Sequence, residues 1–287
     1  MDLRSIIKRS LLYIVKGIPN VHTTANICLL NRNELLKGRN ALITGGTSGI
    51  GYAIATSFVN SGASVCITGR DEGRIATACE VIRKCSLGGV VQGIVLDNRE
   101  VDCFEEKLHL ASEMMGGKID ILVNNAGVLG CDFSHGSPAE FDNVLDTNLR
   151  AVFFLSQAMG HYMKNKNIKG NILNIASSSS LRPAVSAYTL SKWGVRGLTL
   201  GMAKSLAPYG ITVNGLAPGQ TATPMLNKTK DNIYNATNPL GRYILPEEIA
   251  NAAVFLVSDM GRAIMGDILY MTGGSGVFDN SDMDYSF

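Results

Sequence analysis

The sequence predicts an α/β protein: one doubly wound, parallel sheet of seven strands with helices on both faces. Three observations carry this expectation. From residue 39 to residue 274, short apolar runs alternate strictly with longer stretches of helical period, and alternating β and α units close into a parallel sheet covered by helices. The first apolar run leads through Thr44-Gly45-Gly46-Thr47-Ser48-Gly49-Ile50-Gly51 into a helix, so a glycine turn sits between strand and helix. No Pro/Gly-rich linker, repeat or low-complexity tract divides the 287 residues. Residues 39–274 therefore read as a single domain, with an extension at 1–38 and a tail at 275–287.

The extension begins with an amphipathic pattern. Leu3, Ile6, Ile7, Leu11, Ile14, Val15 and Ile18 follow a 3.6-residue period, and Arg4, Lys8, Arg9 and Lys16 lie largely off that stripe. Gly17 and Pro19 end the helix. Such a stripe packs on its own domain or on another subunit, or lies on an anionic membrane surface; peripheral membrane contact through residues 1–18 is thus one of the expectations. Strands follow at 40–44, 64–68, 90–96, 119–123, 171–175, 211–216 and 268–271. Each is a short apolar run, as strands covered on both faces must be. Helices are expected from the glycine turn to about residue 60, and at 71–85, 101–115, 138–164, 186–207 and 246–258. The tail is acidic and carries no assignable chemistry.

Composition narrows the function. Hydrophobic residues at 46% against 17% charged describe a globular chain with a large core. A net charge of +2 is too small to point to a nucleic-acid partner. The six cysteines and four histidines show neither C-x-x-C nor metal-ligand spacing. No metal is expected, and the cysteines read as small core residues of a reducing, cytoplasmic protein. No apolar run is long enough to span a bilayer, and the first residues lack a cleavable signal pattern.

Chemistry gathers at Ala187-Tyr188-Thr189-Leu190-Ser191-Lys192. Positions i and i+4 share a helix face, so Tyr188 and Lys192 address one small volume. A free tyrosine titrates near pH 10 and is a poor acid–base catalyst at neutral pH, whereas a nearby ammonium lowers that value. The glycine turn makes an anion site, because glycines let the backbone approach a ligand and the following helix presents free N–H groups.

The spacing T-G-x-x-x-G-x-G in that turn, together with the Tyr188–Lys192 pair, resembles the short-chain dehydrogenase/reductase family, and the resemblance runs from about Leu35 to Gly274. It implies a single-domain Rossmann-type fold, a nicotinamide dinucleotide and hydride transfer to or from a carbonyl or secondary alcohol of a small molecule. Gly45, Thr47, Ser48, Gly49, Ile50 and Gly51 would cradle the pyrophosphate. The second strand ends in Gly69 and Arg70, where NAD-preferring relatives carry an acid, so NADP(H) is expected over NAD(H); Asp71, one residue on, would reverse this if the register shifted. Asp97 and Asn98 would contact adenine, and Asn125, Ala126 and Gly127 match the family's N-N-A-G beside the adenosine. Pro218, Gly219, Thr221 and Thr223 would border the nicotinamide, with a substrate lid at 222–239.

The same resemblance assigns the catalytic set. Tyr188 would exchange the proton. Lys192 would tune it and hold the ribose. Asn148, an intrinsically unfavourable residue inside a helix, would order a relay water. Ser177, at the end of the fifth strand, would bond the substrate oxygen. Ser177 stands eleven residues before Tyr188, two fewer than the family pattern, so the intervening loop is short and Ser178 remains a candidate. Late segments of such chains build dimer or tetramer contacts, so a homo-oligomer is expected. Substrate is left open among ketones, with a 3-oxoacyl-thioester reductase as runner-up and a non-catalytic NADP-binding or membrane-associated scaffold as the reading from another class.

Overall fold

The computed structural model describes residues 21–25, 32–86, 88–226 and 232–276. The amphipathic stretch 1–18, the centre of the lid at 227–231 and most of the tail lie outside these residues.

The described chain runs β1 (Asn40–Ile43), α1 (Gly49–Asn60), β2 (Ser64–Gly69), α2 (Glu72–Cys85), β3 (Val91–Val95), α3 (Phe104–Met114) and β4 (Ile121–Asn124). It continues through α4 (Pro138–Leu145), a π-turn (Asp146–Arg150), α5 (Ala151–Asn165), β5 (Asn171–Ile175), α6 (Ala187–Leu206), β6 (Thr212–Pro218), α7 (Pro246–Val257) and β7 (Ile268–Met271). The seven strands are all parallel and lie in the order β3-β2-β1-β4-β5-β6-β7, as the alternation predicts. From β1 the chain winds outward to β3, then crosses back to place β4 on the other side of β1. That reversal opens a crevice beyond the carboxyl ends of β1 and β4, the ligand position of such sheets.

Strand alternation splits the core into two layers. Ala41 and Ile43 of β1, Val65 and Ile67 of β2, and Ile121 and Val123 of β4 face one side, where α1, α2 and α7 cover them. Leu42, Cys66 and Leu122 face the other, under α3 and α5. A one-residue slip would exchange every side chain between layers, so both faces together fix the register. Each fully buried aliphatic side chain contributes about 1.5–3 kcal/mol.

Two details depart from the expected elements. The helix expected at 138–164 is broken by the π-turn into α4 and α5. The helix expected at 101–115 opens with a single 3-10 turn, Val101–Cys103. Ser137 and Glu140 form a reciprocal capping box at the start of α4.

The chain ahead of the sheet also touches the segment between β6 and α7. The Thr23 N–H donates to Asn232 Oδ1 (3.1 Å), Asn232 Nδ2 donates to Val21 O (3.1 Å), and the Ile233 N–H donates to Thr23 O (3.1 Å). Ala25 packs on Ala222, Ile233 and Leu245. Among the described residues no helix is long and apolar enough to cross a membrane.

Candidate active site

The crevice is a cavity of about 450 Å³. Its floor at one end is the glycine turn and the start of α1. Ser48 stands at the N-cap of α1 without making a side-chain cap, and no acid occupies the first turn. The first N–H groups of α1 therefore keep their positive end for an anion. Gly45 has φ +64°, and a Cβ there would lie 2.9 Å from Ala126 Cα, so only glycine fits. The turn is locked from behind. Thr44 Oγ1 accepts from the N–H groups of Asn125 (3.0 Å) and Ala126 (3.1 Å), while Asn125 Nδ2 donates to Thr44 O (2.9 Å) and Gly45 O (3.1 Å). Gly51 does not line the cavity. A Cβ there would collide with Asn125 Nδ2 and Gly45 O, so Gly51 lets α1 close on the turn.

Beside β2 and β3 the cavity is charged. Gly69, Arg70, Asp71, Arg74, Asp97 and Asn98 line it. Asp71 Oδ1 accepts from the Arg74 N–H (2.7 Å) and caps α2. Asp97 is chelated by Arg99, with Nε at 3.0 and 3.2 Å and Nη2 at 2.6 Å. Those hydrogen bonds hold its carboxyl below the ordinary range, with a smaller contribution from Arg70.

At the other end stand Ser177, Tyr188 and Lys192. Ser186 caps α6 through the Thr189 N–H (3.1 Å), which sets the first turn that carries Tyr188. Lys192, one turn on, is buried, and its Nζ donates to Ile175 O (2.7 Å) at the end of β5 while lying 5.7 Å from the Tyr188 ring centroid. Burial pushes the Lys192 ammonium down to about 8 and pushes the Tyr188 phenol up, the latter opposed by a hydrogen bond with Ser177. Desolvation is the leading cause at both groups, each of which is pushed toward its neutral form. The Ser177 hydroxyl, which also accepts from the Ser179 N–H (3.1 Å), is the serine that meets Tyr188; Ser178 is buried outside the cavity lining.

Asn148 stands behind this group rather than in the cavity. It is fully buried in the π-turn. Its Oδ1 accepts from the Val128 N–H (2.8 Å), and its Nδ2 donates to Val128 O (2.9 Å) and to Ser191 Oγ (3.2 Å). One side chain thereby ties the segment after β4 to α6.

A family model described as Enoyl-(Acyl carrier protein) reductase matches residues 45–276. The chain belongs to the short-chain dehydrogenase/reductase family. It is 36% identical over 247 residues to a 3alpha-hydroxysteroid dehydrogenase of Mediterraneibacter gnavus, covering 84% of this chain and 98% of that protein. It is also 36% identical over 245 residues to a 3-oxoacyl-[acyl-carrier-protein] reductase of Vibrio harveyi, covering 83% and 98%. Among solved structures, a variant of actinorhodin polyketide ketoreductase with NADPH superposes with a TM-score of 0.76 at 31% identity, covering 84% of this chain and 98% of that one. The chain is accordingly an oxidoreductase acting on CH–OH and C=O groups.

Relatives in the family use nicotinamide cofactors, and the residues here fit one. The uncapped start of α1, the glycine that cannot carry a Cβ and the cavity running on to Tyr188 accept a pyrophosphate at one end and a flat ring at the other. Thr47, Ser48, Gly49, Ile50, Ala126, Gly127, Pro218, Gly219, Thr221 and Thr223 line the same cavity. Arg74, Leu129, Met225 and Leu226 line it too, although no motif marks them. Met225 and Leu226 fall in the lid expected at 222–239; Arg74 and Leu129 had no signal.

Proposed function

We propose that the protein is an NADPH-dependent carbonyl reductase of the short-chain family. The observation that carries the reading is the gathering of Ser177, Tyr188 and Lys192 at one end of the cavity whose other end is the uncapped start of α1. Preference for NADPH rests on β2 ending in Gly69 without an acid, on the Asp71 carboxylate being turned to the cap of α2, and on Arg70 and Arg74 both facing the cavity. A guanidinium pair suits a 2′-phosphate, and a ribose diol needs the acid that is missing.

When bound, the nicotinamide supplies hydride to the carbonyl carbon. Tyr188 gives its proton to the carbonyl oxygen, and its raised value keeps it protonated at neutral pH, the form that reduction consumes. Ser177 donates a hydrogen bond to the same oxygen and stabilises its developing charge. Lys192 lies within the same volume, anchored on Ile175 O, where its ammonium supports the tyrosinate left behind. Asn148 fixes the backbone at Val128 that forms the wall opposite.

Steady-state rates with NADPH and NADH on a panel of ketones test the reading, with Tyr188→Phe and Arg70→Ala beside the wild type. Tyr188→Phe should lose about 10²–10⁴-fold in kcat while still binding NADPH. Arg70→Ala should raise KM for NADPH and leave that for NADH unchanged. A clear NADH preference in the wild type would refute the cofactor assignment, and undiminished turnover by Tyr188→Phe the catalytic one.

A further inference from the structure

Resting on the carbonyl-reductase reading, we infer that the substrate is an uncharged ketone on a mainly hydrocarbon skeleton, reaching from Tyr188 to an apolar rim made by Phe133 and Val185. Charge is divided along the cleft. Arg70, Asp71, Arg74 and Asp97 all lie beside β2 and β3. The rest of the described lining includes the apolar side chains of Val128, Leu129, Ile175, Pro224, Met225 and Leu226. There, among the described residues, Lys192 is the one charged group, and its Nζ is turned to Ile175 O.

The polar inventory at this end serves one oxygen. The Ser177 and Tyr188 hydroxyls face the cavity, whereas Thr221 Oγ1 donates to Gly219 O (3.0 Å) and Thr223 Oγ1 to Thr221 O (3.4 Å). Among the described residues, the hydroxyls of a keto-sugar would lose water without finding side-chain partners, and a carboxylate would find no free cation.

The rim continues the same chemistry. The Phe133 N–H donates to Val185 O, and the Ala187 N–H donates to Cys131 O, both at 2.9 Å. This short ladder ends directly against Tyr188, and Leu129 at its start lines the cavity. On it Phe133 is 90% exposed and Val185 67% exposed. Two bare apolar side chains side by side on this ladder offer a contact surface next to the cleft. Asp132 Oδ1 accepts from the N–H groups of Ser134 and His135, and Arg182 Nη2 donates to Ser275 Oγ.

The test is NADPH oxidation with a decalone, a medium-chain 3-oxoacyl thioester and 5-keto-gluconate, using the full chain. The two apolar substrates should exceed the keto-gluconate by at least about 100-fold in kcat/KM. Phe133→Ser with Val185→Ser should raise KM for them about tenfold and leave KM for NADPH unchanged. Equal or better turnover of 5-keto-gluconate overturns the apolar assignment while the reductase reading stands. An unchanged KM in the rim variant removes Phe133 and Val185 from it. If none of the three is reduced, it is the reductase reading that fails. Binding of the three compounds, followed through the fluorescence of Trp193, whose indole donates to Arg182 O, then ranks them; keto-gluconate first overturns the assignment in that case as well.

Discussion

Lys192 surrenders its water to a pocket that returns one hydrogen bond, from Ile175 O. Its folded value of about 8 lies below the ordinary 10.5. Between those two values the unfolded chain binds more protons than the folded one, so stability rises with pH across that window; below about 8 the full cost of burying the ammonium is present. Each unit of displacement corresponds to about 1.4 kcal/mol. Urea unfolding of the wild type and of Lys192→Met at pH 7 and pH 9.5 should show the wild type gaining on the variant by on the order of 1–2 kcal/mol at the higher pH. A gap that does not move with pH would mean the ammonium keeps its charge on folding. At this scale the sequence was legible in its types and blind to its burial. Y-x-x-x-K announces two groups on one face, but whether the neighbour's charge or the loss of solvent governs the phenol depends on how the end of β5 folds against them.

The π-turn is where helix reasoning stopped short. Residues 138–164 keep a helical period throughout, and Asn148 is the local mark of the break at Asp146–Arg150. The break is held from outside, by Asn148 reaching across to both backbone groups of Val128. Asn148 itself was conspicuous, since asparagine is a poor mid-helix residue; its partner was not. Asn148→Leu should leave the Val128 N–H and C=O without partners, costing on the order of 2–4 kcal/mol, read as a lowered Tm, and should lower turnover by letting the cavity wall shift. An unchanged Tm would show that Val128 finds other partners. By contrast β5 and β7 lie where their mainly apolar runs place them, with the buried Asn174 of β5 hydrogen-bonded to Asn124 and Thr199. The end of β2 shows the intermediate case. Its missing acid was readable at Gly69, while the engagement of Asp71 as a cap and the arrival of Arg74 needed the geometry of α2.

Across the whole molecule the sheet does two separate jobs. Its two apolar layers set the register, and the reversal between β1 and β4 sets the crevice. The family match begins at residue 45, yet the stretch 21–25 reaches past that boundary to residues 232 and 233 on the far side of the cleft. Deleting residues 1–25 removes the acceptor of the Ile233 N–H and two of the partners of the Asn232 side chain, leaving the Tyr234 N–H on its Oδ1. Hydrogen exchange at Ile233 should then quicken by about tenfold or more, while exchange in β1 and β4 stays slow; equal protection with and without the segment would show that the contact carries no weight. Ala222 and Leu245 meet Ala25 in the same small cluster, and Thr221 and Thr223, on either side of Ala222, line the cavity. The leading segment is therefore a leash on one wall of the cleft. Anything fused, anchored or captured ahead of residue 21 pulls on that wall, and an N-terminal affinity tag becomes a kinetic variable rather than a neutral handle.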